Sequence, residues 1–363
     1  MALKPVIFSG GGTLGSVMPL MSVIEKFKKR YTNEVWWCGT FRGPERNVLR
    51  ARAIPYTPLW GGKFRRYLSW RTMIDPLFIT FGFIQALSLL SRKRPAAIVS
   101  SGSFISVPLV WAAWLLRIPT IGLQLDVQLG LANRLILPFL SQFGSLFSFP
   151  LHFTPIACPV RNAIVALARQ KERMKKDALR RFSFVSKPTM LVLGGGIGAR
   201  ILNTLINESI HHLLPMVNVL HSTGTPIDQQ APRLPGYCAQ PFFGDDLVYA
   251  YAAADIIVSR AGMGTIAEAA AMSVPLILVP LPHSPQEHNA ALLAKAGAAL
   301  ILPQQSLTPS LLIATITELL ADERTRNTLA ASLSRTIPVD DGSSVISLIH
   351  RSTPYLNVRE AYA

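Results

Sequence analysis

The sequence predicts an α/β protein of two similar domains, each built on a doubly wound parallel sheet. Two glycine-rich turns of one kind, Gly10–Ser16 and Gly194–Ala199, each follow a short apolar run and precede an apolar-periodic stretch. Strand-like and helix-like runs alternate along both halves of the chain. The 363 residues are enough for two hydrophobic cores. We therefore expect two similar domains that face each other across a cleft.

The first half contains five short apolar runs typical of buried strands. Helical stretches separate them, at the spacing of parallel strands joined by right-handed crossovers. The predicted strands are Val6–Ser9, Val35–Cys38, Ala97–Ser100, Thr120–Gly122 and Leu146–Phe149, with helices near 18–29, 44–52, 76–92, 106–116 and 130–139. We assign residues 1–162 to an N-terminal domain.

The second half repeats this architecture after a charged, helical linker over 161–187. The predicted strands are Met190–Leu193, Val217–Leu220, Ile256–Val258, Leu276–Val279 and Ala299–Leu302, and the last helices lie near 308–333 and 341–350. We assign residues 163–340 to a C-terminal domain. The remaining segment, 341–363, is a helix and tail, for which packing back onto the N-terminal domain is one arrangement.

The positive charge is concentrated in the first half. The formal net charge is +16, and residues 1–162 hold 19 Lys and Arg against 5 Asp and Glu. Such asymmetry indicates a negatively charged partner, either nucleic acid or an anionic membrane. Aromatic and aliphatic side chains lie among the basic ones over 63–83, as in a membrane-interface patch. Nucleic-acid stacking does not use the aliphatic residues of this stretch, so we expect no nucleic-acid partner.

A membrane-binding surface is therefore predicted at Lys63, Phe64, Arg65, Arg66, Tyr67, Trp70, Arg71, Phe78 and Ile79. The alternative is a core helix with a solvated flank. The stretch 72–90 carries Asp75, Pro76 and Gln85, which argue against a membrane span. The N-terminus enters a strand at once, so a signal peptide is not expected. The three cysteines lack the paired spacing of a zinc or disulfide framework, which fits a reducing cytoplasm.

The glycine turns do not indicate a nicotinamide enzyme. Both match the dinucleotide-binding glycine pattern, but that fingerprint also needs an acidic residue about twenty positions later. The corresponding stretch, Val35–Thr40, contains none. The chain also lacks a P-loop, a zinc signature, an Asp-x-Asp metal pair and a recognisable Ser or Cys nucleophile motif. We expect no cofactor and no metal.

A late constellation fits nucleotide binding better. Small residues over 261–265 follow one predicted strand and open a helix, where backbone amides and the helix dipole favour a diphosphate. Glu268 lies one turn into that helix and is suited to grip a ribose. Gln286 and Asn289, after the next strand, offer amides to sugar hydroxyls. The alternative makes Glu268 a helix-surface acid and Gln286 an ordinary loop residue.

Several motifs in the same order resemble the MurG family. Cys158–Arg161 also resembles that family's Asn-Pro-Val-Arg element, and the similarity runs from residue 5 to about 335. The motifs are the first glycine turn, Gly39–Glu45, Gly196–Asn203, Ala250–Asp255, Arg260–Glu268 and Lys295–Ala299. The family transfers N-acetylglucosamine from UDP-N-acetylglucosamine to an undecaprenyl-pyrophosphoryl muramoyl-pentapeptide, converting lipid I to lipid II in peptidoglycan synthesis.

The resemblance implies two Rossmann-like domains in the GT-B arrangement, with acceptor and membrane binding in the N-terminal domain and UDP-sugar binding in the C-terminal one. It also implies an inverting reaction without a metal and a peripheral place on the cytoplasmic membrane face, where other cell-wall enzymes are possible partners. The implied UDP-sugar-binding residues are Thr13, Leu14, Gly15, Asp126, Arg161, Gly196, Gly244, Met263, Gly264, Thr265, Ile266, Ala267, Glu268, Gln286 and Asn289.

Two departures from the family pattern concern the acceptor side. Ser16 stands where family members have a histidine, and a serine hydroxyl is not a general base near neutral pH. Asp126 stands where the family has an asparagine. We therefore predict that Asp126, buried between Leu125 and Val127, is the catalytic base and that Ser16 shares the catalytic site. The departures also leave two alternatives: another lipid acceptor such as diacylglycerol, or a non-catalytic member that binds lipid or partner enzymes.

Overall fold

The computed structural model describes residues 4–62, 71–149, 152–195, 200–224 and 234–359. The chain divides into two compact units. Unit 1 comprises Met1–Pro159 and Asp340–Ala363, and unit 2 comprises Val160–Val339. The first boundary lies three residues before the predicted one, and the C-terminal segment is part of unit 1.

Unit 1 is built on a seven-stranded parallel sheet with the strand order β3-β2-β1-β4-β5-β6-β7. Its strands are β1 (Val6–Ser9), β2 (Val35–Gly39), β3 (Tyr56–Pro58), β4 (Ala97–Ser100), β5 (Thr120–Gln124), β6 (Gln142–Ser145), β7 (Thr154–Pro155) and β8 (Cys158–Pro159), which lies outside this sheet. Its helices before the boundary are α1 (Met18–Arg30), α2 (Glu45–Ala51), α3 (Arg71–Lys93), α4 (Ser106–Leu115) and α5 (Leu131–Ile136).

The predicted strand Leu146–Phe149 is wrong, because the strand ends at Ser145. The Ser145 hydroxyl donates to the Phe147 carbonyl oxygen over 2.7 Å and accepts the Phe147 N–H over 3.2 Å. This local side-chain turn replaces the sheet ladder. The short strands β3 and β7 were not predicted, because two or three residues carry no readable periodicity.

Both faces of the unit 1 sheet are covered. α1 packs Leu20, Ile24 and Phe27 against one face, together with inward side chains of β1, β2 and β4. α3 and α4 pack on the other face through residues such as Leu90 and Leu109. Burial on both faces explains why the strands are continuously apolar rather than alternating.

Unit 2 is built on a six-stranded parallel sheet with the strand order β11-β10-β9-β12-β13-β14. Its strands are β9 (Thr189–Leu193), β10 (Asn218–Ser222), β11 (Tyr237–Gln240), β12 (Ile256–Ser259), β13 (Leu276–Leu278) and β14 (Leu300–Ile301). Its helices are α6 (Asn162–Ala168), α7 (Lys171–Arg181), α8 (Arg200–Leu213), α9 (Leu247–Ala253), α10 (Met263–Met272), α11 (Pro285–Lys295), α12 (Pro309–Ala321) and α13 (Glu323–Thr336).

The predicted helix over 308–333 is two helices, α12 and α13. The chain leaves helical geometry at Asp322, whose carboxylate accepts the Thr325 N–H over 3.0 Å. That bond caps the N-terminus of α13, since an aspartate oxygen satisfies a donor that the first turn leaves unpaired. The cap residue therefore ends one helix and begins the next.

The C-terminal segment consists of β15 (Val339–Asp340) and α14 (Ser343–Ser352). α14 contributes Val345, Ile346, Leu348 and Ile349 to the core beside α1. Lys26 of α1 also pairs with Asp341 at 2.6 Å. The last helix thus completes the core of the unit that the first strand begins.

Candidate active site

Three loops meet at the carboxyl edge of the unit 1 sheet. β4 lies between β1 and β5, so the loops that follow these strands are neighbours. The Ser101 hydroxyl, after β4, donates to the Ser16 carbonyl oxygen over 2.6 Å. This bond ties the first glycine turn to the next loop, at the edge where open α/β sheets bind ligands.

Ser16 ends a short 3₁₀ turn, Leu14–Ser16, inside the first glycine turn. Its hydroxyl donates to the Thr13 carbonyl oxygen over 3.2 Å, so it shapes the turn. Thr13 and Gly15 are exposed, whereas Leu14 and Ser16 are half-buried. A ligand at this edge therefore meets Thr13 and Gly15 first.

Asp126 is half-buried, not enclosed as expected, because it lies in a bend two residues after β5. The buried Gln124 holds this bend by donating its carboxamide N–H groups to the carbonyl oxygens of Asp126 and Gln128, over 2.7 and 2.9 Å. Asn133 in turn donates to Gln124 Oε1 over 2.6 Å. With one strand between them, β5 and β1 lie about 10 Å apart, and the loops that carry Asp126 and the first glycine turn follow these two strands at the same edge.

In unit 2, the start of α10 presents open backbone. Gly262 is the N-cap residue, in extended conformation and without a side-chain cap. Apart from their own chain neighbours and the helix backbone, no atom of the described residues lies within 4 Å of where a Cβ would stand on Gly262 or Gly264. The first N–H groups of a helix have no partner within it and carry the positive end of its dipole. The segment Gly262–Thr265 therefore forms a small-residue surface suited to a diphosphate.

Two predicted ligand residues of α10 are turned away from that surface. Ile266 and Ala267 have no exposed area. The Ile266 N–H already donates to the Gly262 carbonyl oxygen over 3.2 Å. Once the helix has formed, these positions have neither a side chain nor a free amide for a ligand, and they anchor α10 to the core. Met263 is also mostly buried, which leaves its backbone N–H as its means of contact.

Glu268 is held on both oxygens. The Arg161 Nε–H donates to Glu268 Oε1 over 2.6 Å, and the Tyr251 hydroxyl donates to Oε2 over 2.7 Å. Tyr251 is fully buried, and this burial and the neighbouring carboxylate raise the pKa of its hydroxyl well above the usual value. The structure therefore brings together Arg161 and Glu268, two residues that the sequence indicated separately.

The first turns of α11, the helix after β13, carry Gln286 and Asn289 in different roles. Gln286 is half-buried, and its Oε1 accepts the Leu281 N–H over 3.0 Å, which orients the carboxamide. Asn289 is fully buried and donates to the Ala261 carbonyl oxygen over 3.1 Å. Asn289 therefore supports the chain just before α10, and its contact with the sugar stays a prediction. Gln286 is the more exposed candidate sugar contact of this helix.

Two predicted glycine contacts fall on different parts of unit 2. Gly244 has φ +53° and open space at its Cβ position, at the start of a 3₁₀ turn before α9. Gly196 lies outside the described residues. The adjoining Gly195 has φ +85°, a conformation that favours glycine, and none of the described residues beyond its chain neighbours lies within 4 Å of its Cβ position.

The predicted membrane-binding residues are only partly within the described chain. Lys63, Phe64, Arg65, Arg66, Tyr67 and Trp70 lie outside the described residues, and for Arg71 only the backbone, in α3, is described. Phe78 stacks on Trp60 with ring centroids 5.2 Å apart, and Ile79 packs against Gly62. These two side chains are half-buried, and Trp60 is itself 45 % exposed, so their membrane contact stays a prediction.

α3 instead exposes a different apolar stripe. Leu77, Phe81 and Ile84 are 58, 61 and 58 % exposed, and their spacing places them on one helix face. Trp114, in the neighbouring α4, is 57 % exposed. Within the described residues no helix combines the length and apolar character needed to cross a bilayer.

The sequence does not reveal the residues that support the candidate site residues in the two units. Gln124, Asn133 and Tyr251 are buried polar side chains that hold candidate site residues in place. In the sequence each of them is an isolated polar residue inside or beside an apolar run. Because such residues also occur in ordinary hydrophobic cores, this pattern does not mark them as supports of a site. Their partners lie on other elements, so spacing along the chain does not reveal them.

Two α/β units, each built on a parallel sheet, are the fold of two-domain glycosyltransferases. Family models match both units: the glycosyltransferase family 28 N-terminal domain over residues 6–143 and its C-terminal domain over residues 189–338.

Relatives extend the match across the chain. The "UDP-N-acetylglucosamine--N-acetylmuramyl-(pentapeptide) pyrophosphoryl-undecaprenol N-acetylglucosamine transferase" of Clostridium botulinum (strain Kyoto / Type A2) is 30% identical over 84% of this chain and 88% of its own. The Clostridium kluyveri protein of the same name is 28% identical over 96 and 99%. The crystal structure of Acinetobacter baumannii MurG superposes with a TM-score of 0.74 at 24% identity, over 96 and 99%. The chain belongs to the MurG family of glycosyltransferase family 28.

Proposed function

We propose that this protein transfers N-acetylglucosamine from UDP-N-acetylglucosamine to a polyprenyl-pyrophosphate-linked muramoyl-peptide, with inversion at the sugar, as in the lipid I to lipid II step of peptidoglycan synthesis. Family membership and the names of the relatives support the reaction. The observation that carries the proposal within the chain is the pairing of Arg161 and Glu268 in the unit that holds the open start of α10.

The donor binds unit 2 in this proposal. The N–H groups of Met263, Gly264 and Thr265 take the diphosphate, and Arg161 adds a positive charge. Glu268 accepts hydrogen bonds from the ribose hydroxyls. Fixed donors of this kind stabilise the negative charge that develops on departing UDP. The Gly244 backbone contacts the uracil, and the Gln286 carboxamide contacts the sugar.

The acceptor chemistry belongs to unit 1 in this proposal. Asp126 removes the proton from the acceptor hydroxyl, which then attacks the anomeric carbon as UDP departs. Thr13, Gly15 and Ser16 line the acceptor side of the first glycine turn. Gln124 and Asn133 hold the backbone of the loop that carries this half-buried carboxylate, and a defined backbone supports the positioning that general base catalysis requires.

Incubation with radiolabelled UDP-N-acetylglucosamine and a lipid I analogue, followed by product separation, tests the reaction. Calorimetric titration with UDP tests the donor site in parallel. Loss of the Glu268 carboxylate removes charge-assisted hydrogen bonds, so Glu268→Ala should weaken UDP binding by about 1.5–3 kcal/mol. Glu287→Ala, an exposed glutamate of α11, is the matched control. Wild-type UDP affinity in Glu268→Ala would reject the donor assignment.

We also propose that the enzyme works as a peripheral protein on the cytoplasmic face of an anionic membrane. The apolar stripe Leu77, Phe81 and Ile84 supports this, since exposed apolar side chains of that size are suited to insertion at the headgroup level. The excess of basic residues in 1–162 adds attraction to anionic lipid.

A second candidate acceptor follows from Ser16. Because a serine hydroxyl that donates to the backbone replaces the family histidine, the acceptor side differs chemically from that of the relatives. A lipid hydroxyl such as that of diacylglycerol is the second candidate. The same radiolabel assay with diacylglycerol separates the two, and binding of the donor without turnover of either acceptor would favour a non-catalytic role.

A further inference from the structure

A buried carboxylate lies beneath the first glycine turn. Glu45, the first residue of α2, has no exposed surface. Its Oε1 accepts the Thr40 N–H over 2.8 Å and the Thr40 hydroxyl over 2.5 Å, and its Oε2 accepts the Gly12 N–H over 3.3 Å. Each oxygen therefore binds a backbone donor, an arrangement that compensates a carboxylate for its loss of water.

The carboxylate joins two loops at the edge where the acceptor is proposed to bind. Gly12 belongs to the loop after β1, and Thr40 belongs to the loop after β2, the neighbouring strand. A Cβ on Gly11 would stand 2.5 Å from Glu45 Oε1, and a Cβ on Gly43 would collide with the same carboxyl group. Both loops are therefore shaped around this one side chain.

The fit leaves the first glycine turn little freedom. Gly12 has φ +84°, a conformation that side chains rarely adopt, and its N–H is held by Glu45. On the far side the Tyr56 hydroxyl lies 3.3 Å from Oε1 and donates to the Thr40 carbonyl oxygen. The next residue after Gly12 is Thr13, one of the two exposed residues of the turn.

We propose that Glu45 is a positioning residue for the acceptor: it fixes the Gly10–Ser16 turn and so places Thr13 and Ser16. This inference rests on the proposed transferase function. Glu45 itself does not touch the acceptor, because it is fully buried. Its effect is transmitted through the Gly12 N–H.

Glu45→Gln is the test variant, because the amide keeps the size of the side chain but replaces one accepting oxygen by a donor that faces an N–H. We expect at least a tenfold loss in kcat/KM for the lipid acceptor, with the acceptor KM raised. UDP affinity by calorimetry should stay within twofold, since the residues proposed to bind the UDP part of the donor, such as Arg161 and Glu268, lie in unit 2. Glu34→Gln, an exposed glutamate of unit 1, is the control and should retain full activity.

Hydrogen exchange gives a second measurement that needs no turnover. Faster exchange in peptides covering residues 10–16, with unchanged exchange in β1, β4 and β5, would support the positioning role. If Glu45→Gln lost acceptor turnover, UDP affinity and exchange protection throughout unit 1 to the same degree, Glu45 would have a general folding role and the positioning proposal would be wrong. Wild-type kinetics together with wild-type exchange would also overturn the proposal. If the parent bound UDP but turned over no lipid acceptor, the proposed function would fail, and exchange at 10–16 would still decide whether Glu45 fixes the turn.

Discussion

Two glutamates of this protein, Glu45 and Glu268, are withdrawn from solvent and held on both carboxylate oxygens. Within the described residues, Glu45 accepts hydrogen bonds from neutral donors alone. Glu268 instead pairs with Arg161 and accepts a hydrogen bond from the Tyr251 hydroxyl. Leaving a buried acceptor without its donor typically costs about 1–3 kcal/mol. Single substitutions at these two places therefore act on geometry as well as on charge.

Asp126→Asn tests the proposed general base. The amide cannot accept the acceptor proton, so turnover of the lipid acceptor should fall on the order of 10²–10⁴-fold, while UDP affinity stays unchanged. Initial rates with radiolabelled donor measure this. Asp177→Asn, on the exposed surface of α7, provides the comparison. Turnover within about threefold of the parent would exclude Asp126 as the base.

His221 should make the stability of unit 2 depend on pH. Burial lowers the pKa of His221 to about 4, and its ring nitrogens contact the Tyr237 hydroxyl and Asn203 Oδ1. The unfolded chain, with a pKa near 6.5, binds the proton first as pH falls. The contribution of His221 to the free energy of unfolding is therefore fully present above about pH 6.5. It is lost as the pH falls towards 4, and the loss amounts to roughly 3 kcal/mol in total.

Denaturant unfolding followed between pH 7.5 and 4.5 measures this slope. His221→Gln removes the titrating group, so that variant should show a shallower decline, even though it is less stable at neutral pH. His212→Gln, an exposed histidine at the end of α8, should keep the parent slope. Identical slopes in His221→Gln and the parent would contradict the assignment.

Among the elements, α3 and α10 show how position decides what a helix does. α3 buries Ala86 and Leu90 against the sheet and leaves Leu77, Phe81 and Ile84 outside. α10 buries Ile266, Ala267 and Ala270 and leaves its N-terminal backbone open. α3 therefore leaves apolar side chains exposed, and α10 leaves the backbone N–H groups of its first turn without partners in the helix.

Replacing the α3 stripe should weaken membrane binding. The triple variant Leu77→Ser/Phe81→Ser/Ile84→Ser removes three apolar side chains. Complete burial of one such side chain contributes about 1.5–3 kcal/mol, and partial burial at a membrane interface contributes less. Sedimentation with anionic vesicles should show at least a tenfold loss of binding. The weaker binding that remains should depend on salt, because it comes from the basic residues. Val185→Ser, an exposed apolar residue of unit 2, is the control. Unchanged vesicle binding in the triple variant would exclude the stripe.

On the scale of the whole molecule, the chain folds into two units with separate cores, and its last helix belongs to the first unit. Val6 and Leu348, almost the full chain length apart, lie in one hydrophobic cluster. Leu213 and Ile316 lie in the cluster of unit 2. Ligand binding to one unit therefore stabilises that unit directly.

UDP should rescue a core defect in unit 2 but not one in unit 1. Leu213→Ala and Leu348→Ala each remove a fully buried leucine side chain, at about 2–5 kcal/mol. UDP at a hundredfold excess over its dissociation constant adds about 2.7 kcal/mol to the unit that binds it. Hydrogen exchange by peptide should show recovery in 160–339 for Leu213→Ala. Equal recovery of both variants would disagree with UDP binding in unit 2.

The sequence alone determined the two parallel-sheet domains and the family, because strand–turn–helix periodicity and motif spacing are local along the chain. It also indicated Arg161, Glu268 and Gln286 as candidate ligand residues. Only the tertiary structure decided which of the indicated residues are reachable. It buried Ile266, Ala267 and Asn289, joined Arg161 to Glu268 and placed Glu45 under Gly12. Burial and hydrogen-bond partners depend on elements distant in sequence, so no local pattern encodes them.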